Sequence, residues 1–204
     1  MPGINRYKLP EIQAQYRNLH EAFEKRASVN FSMATRKPSA PCIFLSHRST
    51  DKEAVRKIGE YIMAQGIDVY LDADDPNLQK ADRDNDHQAI TTAIELGITN
   101  STDLLAYVTP NTVASPWVPY EIGFAKRDGS QLAAMKSKDL TALPSYLVIV
   151  HQITGIESLK DYLQKIIKRD ATPGQQVVKL SRILDMKIED AGLSHPLSRY
   201  LAQR

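Results

Sequence analysis

PCIFLSHRSTDKEAVRKIGEYIMAQGIDVYLD, residues 41 to 72, is the stretch that decides the fold. Cys42 to Leu45 is a short apolar run with the length and composition of a buried strand. Thr50 and Glu53 stand at capping-box spacing, and Ala54, Ile58, Tyr61 and Ile62 recur as the buried stripe of a following helix. Gly66 ends that helix, and Ile67, Val69 and Leu71 alternate with Asp68 and Tyr70 as a second strand. A strand, a helix and a strand in short succession imply a parallel, right-handed crossover.

Working outward, the pattern repeats. Asp72 to His87 is acidic and lacks apolar periodicity, which reads as a long charged loop, and Gln88 to Gly97 resumes helical spacing through Ile90, Ala93 and Ile94. Leu104 to Val108 is a third strand, followed by a Thr109-Pro110 turn. Ser115-Pro116 then offers an N-cap with proline at the first helical position, and Pro119 still falls within the first turn. Leu132 to Met135 reads as a fourth strand and Tyr146 to Val150 as a fifth. The expected architecture is an α/β flavodoxin-like, doubly wound sheet of about five parallel strands in the order 2-1-3-4-5.

Helices are expected at both ends. Ile12, Tyr16, Leu19 and Phe23 line one face of an amphipathic leader helix, and Ser28 to Pro41 has the composition of a linker. Ile156, Leu159, Leu163 and Ile166 mark a closing helix; Val177, Leu180, Ile183, Leu184 and Ile188 mark another. The expected organisation is residues 1–40 as leader and linker, 41–170 as the main domain, and 171–204 as a helical extension.

Composition narrows the function classes. Apolar residues at 42% and charged residues at 25% describe an ordinary globular chain. A net charge of +2 is too mild for a nucleic-acid face. Cys42 is the single cysteine, which forbids an internal disulfide and suits a reducing, cytoplasmic setting. Met1 to Lys8 lacks the apolar core of a signal peptide, and no run approaches the roughly 18 residues that cross a bilayer. The glycines form neither GxGxxG nor GxxxxGK, so a bound nucleotide must be held another way. The histidines are too scattered for a zinc site. Asp82, Asp84 and Asp86 alternate as in a calcium loop, yet His87 and Ala93 stand where that loop needs glycine and glutamate. No metal site is expected.

In an open α/β sheet the ligand crevice lies at the carboxyl ends of the strands where their order reverses, here between the first and third. That rule selects Ser46-His47-Arg48-Ser49-Thr50, Thr109 to Ser115, and the helix that follows. Trp117 and Glu121 are four residues apart on that helix and face one direction; Val118, Ile122 and Ala125 occupy another face, suited to the sheet. The plainer alternative makes Trp117 a packing residue and Glu121 a surface charge.

Three segments carry a family resemblance. CIFLSH at 42–47, with Asp51 shortly after, resembles the first conserved box of Toll/interleukin-1 receptor (TIR) domains. GIDVYLD at 66–72 resembles their second strand and the start of the BB loop, and SPWVPYEIGFA at 115–125 resembles the WxxxE helix of NAD-consuming TIR enzymes. The resemblance spans about Pro41 to Thr154. It implies cleavage of the nicotinamide–ribose bond of NAD+, giving ADP-ribose or a cyclic ADP-ribose-type signal, as in stand-alone bacterial TIR proteins of Thoeris antiphage defence. Glu121 would then be catalytic and Trp117 would stack on nicotinamide. From their place in the switch-point loops, and not from the resemblance, Arg48 would pair with the pyrophosphate and Ser46, His47 and Thr109 would line the substrate. NAD+ is the substrate and no cofactor is implied; a separate effector would read the signal. Two other readings stay open: a TIR scaffold that self-associates through the 72–87 loop without turnover, and a nucleoside deoxyribosyltransferase-like enzyme.

Overall fold

The computed structural model describes residues 41–71, 76–170 and 195–203. The leader helix and the helix expected over Val177 to Ile188 lie outside the described residues. In chain order the elements are β1 (Cys42–Ser46), α1 (Lys52–Ala64), β2 (Asp68–Tyr70), α2 (Pro76–Arg83), α3 (His87–Thr99), β3 (Asp103–Val108), α4 (Trp117–Asp128), β4 (Gln131–Lys136), β5 (His151–Ile153) and α5 (Ile156–Asp170).

The strands form one five-stranded sheet in the order β2-β1-β3-β4-β5, every pairing parallel. This is the doubly wound, flavodoxin-like arrangement that the βα alternation requires. Side chains alternate between the two faces of each strand. Ile43, Leu45, Val69, Leu105, Tyr107, Met135 and Ile153 therefore pack with the buried stripes of α1 and α5. Cys42, Phe44, Tyr70, Leu104, Ala106, Val108 and Ala134 pack with α3 and α4. Ser46 continues the series of Cys42 and Phe44, so the last residue of β1 faces α3 and α4.

Several local expectations change. No capping box forms at Thr50 and Glu53: a 3-10 turn over Ser49–Asp51 precedes α1, Asp51 is its N-cap, and no side chain caps it. Glu53 instead accepts from Arg199 at 3.3 Å and from the Tyr200 hydroxyl at 2.9 Å. The acidic stretch after β2 is not loop throughout, because α2 lies in it. Leu78 and Ala81, three residues apart, give that short helix enough apolar surface to pack on the α3/α4 side of the core. Asp86 caps α3 by accepting from the Ala89 amide at 3.0 Å, which gives one member of the alternating acidic run a structural use.

The fifth strand is His151–Ile153, not Tyr146 to Val150. Pro144 opens a 3-10 turn in which the Leu147 amide donates to the Pro144 carbonyl at 2.9 Å, so the apolar run bends before it reaches the sheet. Leu147 is buried, whereas Val148 and Ile149 are left outside. An apolar run of this length signals burial without signalling which residues are buried, and here the turn decides.

Residues 195–203 close against the same core. Leu197 and Leu201 are buried among α1 and α5 residues, and Ala202 makes a parallel bridge to Gly155. At the opposite, amino-terminal end of β3, fully buried Asp103 accepts from Arg169 at 2.6 and 3.1 Å, from Thr102 at 2.7 Å and from the Tyr162 hydroxyl at 3.3 Å. Four donors offset the cost of burying that charge. Burial, and then Asp103 itself, holds the Tyr162 phenol well above its ordinary range.

Two measurements check this packing. A Cβ at Gly97 would lie 2.5 Å from the Tyr70 ring, itself stacked on Phe44, whereas a Cβ at Gly123 meets nothing within 4 Å. In urea unfolding, Gly97→Ala is expected to lose about 1–3 kcal/mol by overpacking. Gly123→Ala should gain about 0.5–1 kcal/mol by restricting the unfolded chain; changes of equal sign would contradict the packing. Because the folded-state pKa of Tyr162 is raised, its contribution is present below the unfolded value of about 10 and is lost as pH climbs beyond it. Tyr162→Phe should therefore flatten the alkaline fall in stability, and an unchanged slope would refute the burial of that phenol.

Candidate active site

The helix that carries the site begins one residue later than the Ser-Pro signal suggests. Pro116, not Ser115, is the N-cap of α4; its φ of −75° already suits the helix, and no side chain caps the end. Ser115 instead closes the preceding 3-10 turn by donating its amide to the Thr112 carbonyl at 2.9 Å. Gly129, at φ 80°, supplies the left-handed residue that ends α4.

Along α4 the buried positions are Val118, Glu121, Ile122 and Ala125. Glu121 thus belongs to the sheet-facing stripe, next to rather than opposite the apolar residues, and only 1% of it is exposed. A surface charge is excluded. Trp117, one turn earlier, is 36% exposed and lies at the helix edge. The expectation that Glu121 stands apart from Val118, Ile122 and Ala125 is corrected: the carboxylate is buried with them, one turn from a partly exposed indole.

In the interior Glu121 meets Ser46. The Ser46 hydroxyl donates to Glu121 Oε2 from the carboxyl end of β1, and both residues are buried. Strand alternation places Ser46 on the α4 side, and the helical stripe places Glu121 toward the sheet. Residues 75 apart in sequence meet for those two reasons alone.

The other expected residues sit nearby but are engaged differently. His47 is buried, with Nδ1 3.1 Å from the Leu45 carbonyl; because a carbonyl only accepts, Nδ1 carries the proton in that contact. Arg48 Nη1 donates to the Asn111 carbonyl at 2.8 Å. Thr109 donates its hydroxyl to Asp51 Oδ2 at 2.8 Å and accepts from the Asn111 amide at 3.1 Å. Asn111 Nδ2 adds a longer bond to Asp51 Oδ1 at 3.4 Å. Arg48 and Thr109 thus join a network that ties the loop after β1 to the loop after β3. Ser46 and Glu121 form the inner contact.

Sequence reading undervalued Asp51, which appeared only within the first box, and missed Asn111 and Tyr120. Asp51 had one usable signal, an acidic residue in the first turn after a strand at the switch point. Tyr120 had another, an aromatic residue three positions from Trp117. Its ring meets the indole edge-on, with centroids 6.0 Å apart and planes at 89°, and it stacks on Phe124 at 6.5 Å. Its hydroxyl donates to Glu95 of α3; that bond, with smaller contributions from burial and the Glu95 charge, pushes the phenol up to about 12. Trp117 is thereby propped from one side and left open on part of its surface.

Chemically the arrangement offers a buried carboxylate with a hydroxyl partner, a partly open aromatic surface one helical turn away, and a braced pair of loops. Among the described residues no cluster of three or more histidine, cysteine, aspartate or glutamate side chains could hold a metal ion, and no helix is long and apolar enough to cross a membrane.

Comparison with known proteins agrees with the architecture. The TIR domain family model matches residues 43–150, more than half of the chain. The chain is similar to the NAD(+) hydrolase TirS of Staphylococcus aureus (strain MSSA476), with 28% identity over 135 residues covering 61% of this chain and 45% of that protein. It therefore spans less than half the length of that relative. Among solved structures, the Clostridium botulinum CMP N-glycosidase BcmB aligns with a TM-score of 0.40 and 20% identity, over 61% of this chain and 97% of that one. With its parallel five-stranded sheet and a family match running from β1 to the residue before β5, the chain belongs to the TIR domain family.

Proposed function

We propose that this TIR domain cleaves the N-glycosidic bond between nicotinamide and ribose in NAD+, with Glu121 as the catalytic carboxylate. The observation that carries the reading is the buried Glu121 carboxylate, held by Ser46 at the carboxyl edge of the sheet one turn from the half-exposed Trp117. Similarity to an NAD(+) hydrolase supports the choice of substrate.

The reaction needs little machinery. When the bond from the ribose anomeric carbon to the ring nitrogen breaks, its electron pair stays on nitrogen and nicotinamide leaves as a neutral molecule. No general acid need protonate it, unlike the alcohol leaving groups of most glycosidases, which call for two carboxyls. The oxocarbenium ion left behind is stabilised by a fixed negative charge in a dry setting, which Glu121 supplies. Trp117 walls the nicotinamide ring, and Arg48, with N–H donors beyond the one given to Asn111, reaches the pyrophosphate. Water then adds at the anomeric carbon and loses a proton, giving ADP-ribose. If a nucleophile of the same dinucleotide arrives first, the product is a cyclic ADP-ribose-type molecule. We extend the reading to bacterial antiphage defence of the Thoeris kind, in which a separate effector reads that cyclic product.

A second reading is a TIR module that docks on other copies without turnover. It is favoured by the exposed Tyr146, Val148 and Ile149 beside β5, an edge strand of the sheet.

Nicotinamide release from NAD+ distinguishes the two. Glu121→Gln keeps the shape and removes the charge, and the rate is expected to fall at least about a hundredfold. Equal release by wild type and variant would remove Glu121 from the chemistry.

A further inference from the structure

We infer that Ser46 is a positioning residue for Glu121, setting the aim and charge state of that carboxylate, and not a contact to the substrate; its kinetic consequence rests on the NAD+ cleavage reading above. A serine hydroxyl has one proton to donate. In this structure that proton goes to Glu121 Oε2, so Ser46 meets the carboxylate as its donor. The contact is enclosed: Ser46 and Glu121 are each 1% exposed, Ser46 is registered beside the small Ala106 of β3, and Val118 of α4 is fully buried.

Enclosure makes the bond consequential. Removing a carboxylate from water favours its neutral form, whereas a hydrogen bond donated to the charged form opposes that tendency. Several charged or titratable groups on the neighbouring elements have partners of their own. His47 lies against the Leu45 carbonyl, Arg48 against the Asn111 carbonyl, Glu95 against the Tyr120 hydroxyl and Lys136 against the Thr141 carbonyl. Asp103 is paired with Arg169 at the far end of β3. Ser46 is a neutral donor that reaches Glu121 from the sheet. A bond donated to the carboxylate favours its charged form, which stabilisation of an oxocarbenium ion demands, and fixes its direction.

The test follows the carboxyl itself as well as turnover. Protein with 13C-labelled glutamate carboxyls, with Glu121 assigned by its disappearance in Glu121→Gln, is titrated by NMR as wild type, Ser46→Ala and Ser46→Thr. Loss of a hydrogen bond to a charged group should raise the ionisation midpoint of Glu121 by about one to two pH units in Ser46→Ala. Ser46→Thr, which restores a hydroxyl, should return it toward wild type. In nicotinamide release, Ser46→Ala should move the acid limb of the rate profile by the same amount. It should lower kcat about ten- to hundredfold at the acid end, with KM for NAD+ changed less than threefold. An unmoved carboxyl midpoint with a raised KM would overturn the proposal in favour of a substrate contact. An unmoved midpoint with only a lowered urea transition would overturn it in favour of plain packing. A shifted midpoint in a protein that never releases nicotinamide would uphold the role of Ser46 while refuting NAD+ cleavage.

Discussion

A carboxylate enclosed between a parallel sheet and a helix is costly, and the contact between Ser46 and Glu121 is the constraint around which this end of the domain is organised. It requires the last residue of β1 to face α4, and it requires α4 to turn residue 121 toward the strands. Both conditions follow from the two-sided core. Ile43 and Leu45 commit one face of β1 to α1 and α5, which leaves Cys42, Phe44 and Ser46 for α3 and α4. A one-residue shift in β1 would reverse every one of these assignments.

The loops add rigidity from outside. Asp51 binds Thr109 and Asn111, and Arg48 binds Asn111, so the connections after β1 and β3 brace each other across the switch point. Residues 195–203 brace the connections after β4 and β5 and the start of α1. The Lys138 amide donates to the Tyr200 carbonyl, the Ile156 amide donates to the Ala202 carbonyl, and Glu53 of α1 receives both Arg199 and Tyr200. A carboxylate that must meet developing charge without moving gains from such support.

Much of this was legible because the signals were local and repeated. The strand–helix–strand unit over residues 41–72 and the stripe of α5 were read from periodicity, and strand order followed from connection rules. The switch-point rule also pointed to the loop that holds Ser46 and the helix that holds Glu121, which the structure brings into contact. The rest depended on tertiary competition. Glu53 left its capping box for Arg199 and Tyr200, partners 146 and 147 residues away that spacing cannot reveal. The apolar run at 146–150 was overridden by the turn at Pro144, and Leu78 with Ala81 was too sparse a pattern to announce α2. Glu121 looked polar enough to stand apart from Val118 and Ile122; its burial becomes intelligible once Ser46 is seen to donate to it.

A crystal structure of the Glu121→Gln protein soaked with NAD+ tests the account most directly. The anomeric carbon next to the nicotinamide should lie against residue 121, with the nicotinamide ring on Trp117 and the Ser46 hydroxyl still turned toward the side chain at 121. A dinucleotide bound on the opposite face of the sheet, with residue 121 sealed beneath Ser46 and out of its reach, would contradict it.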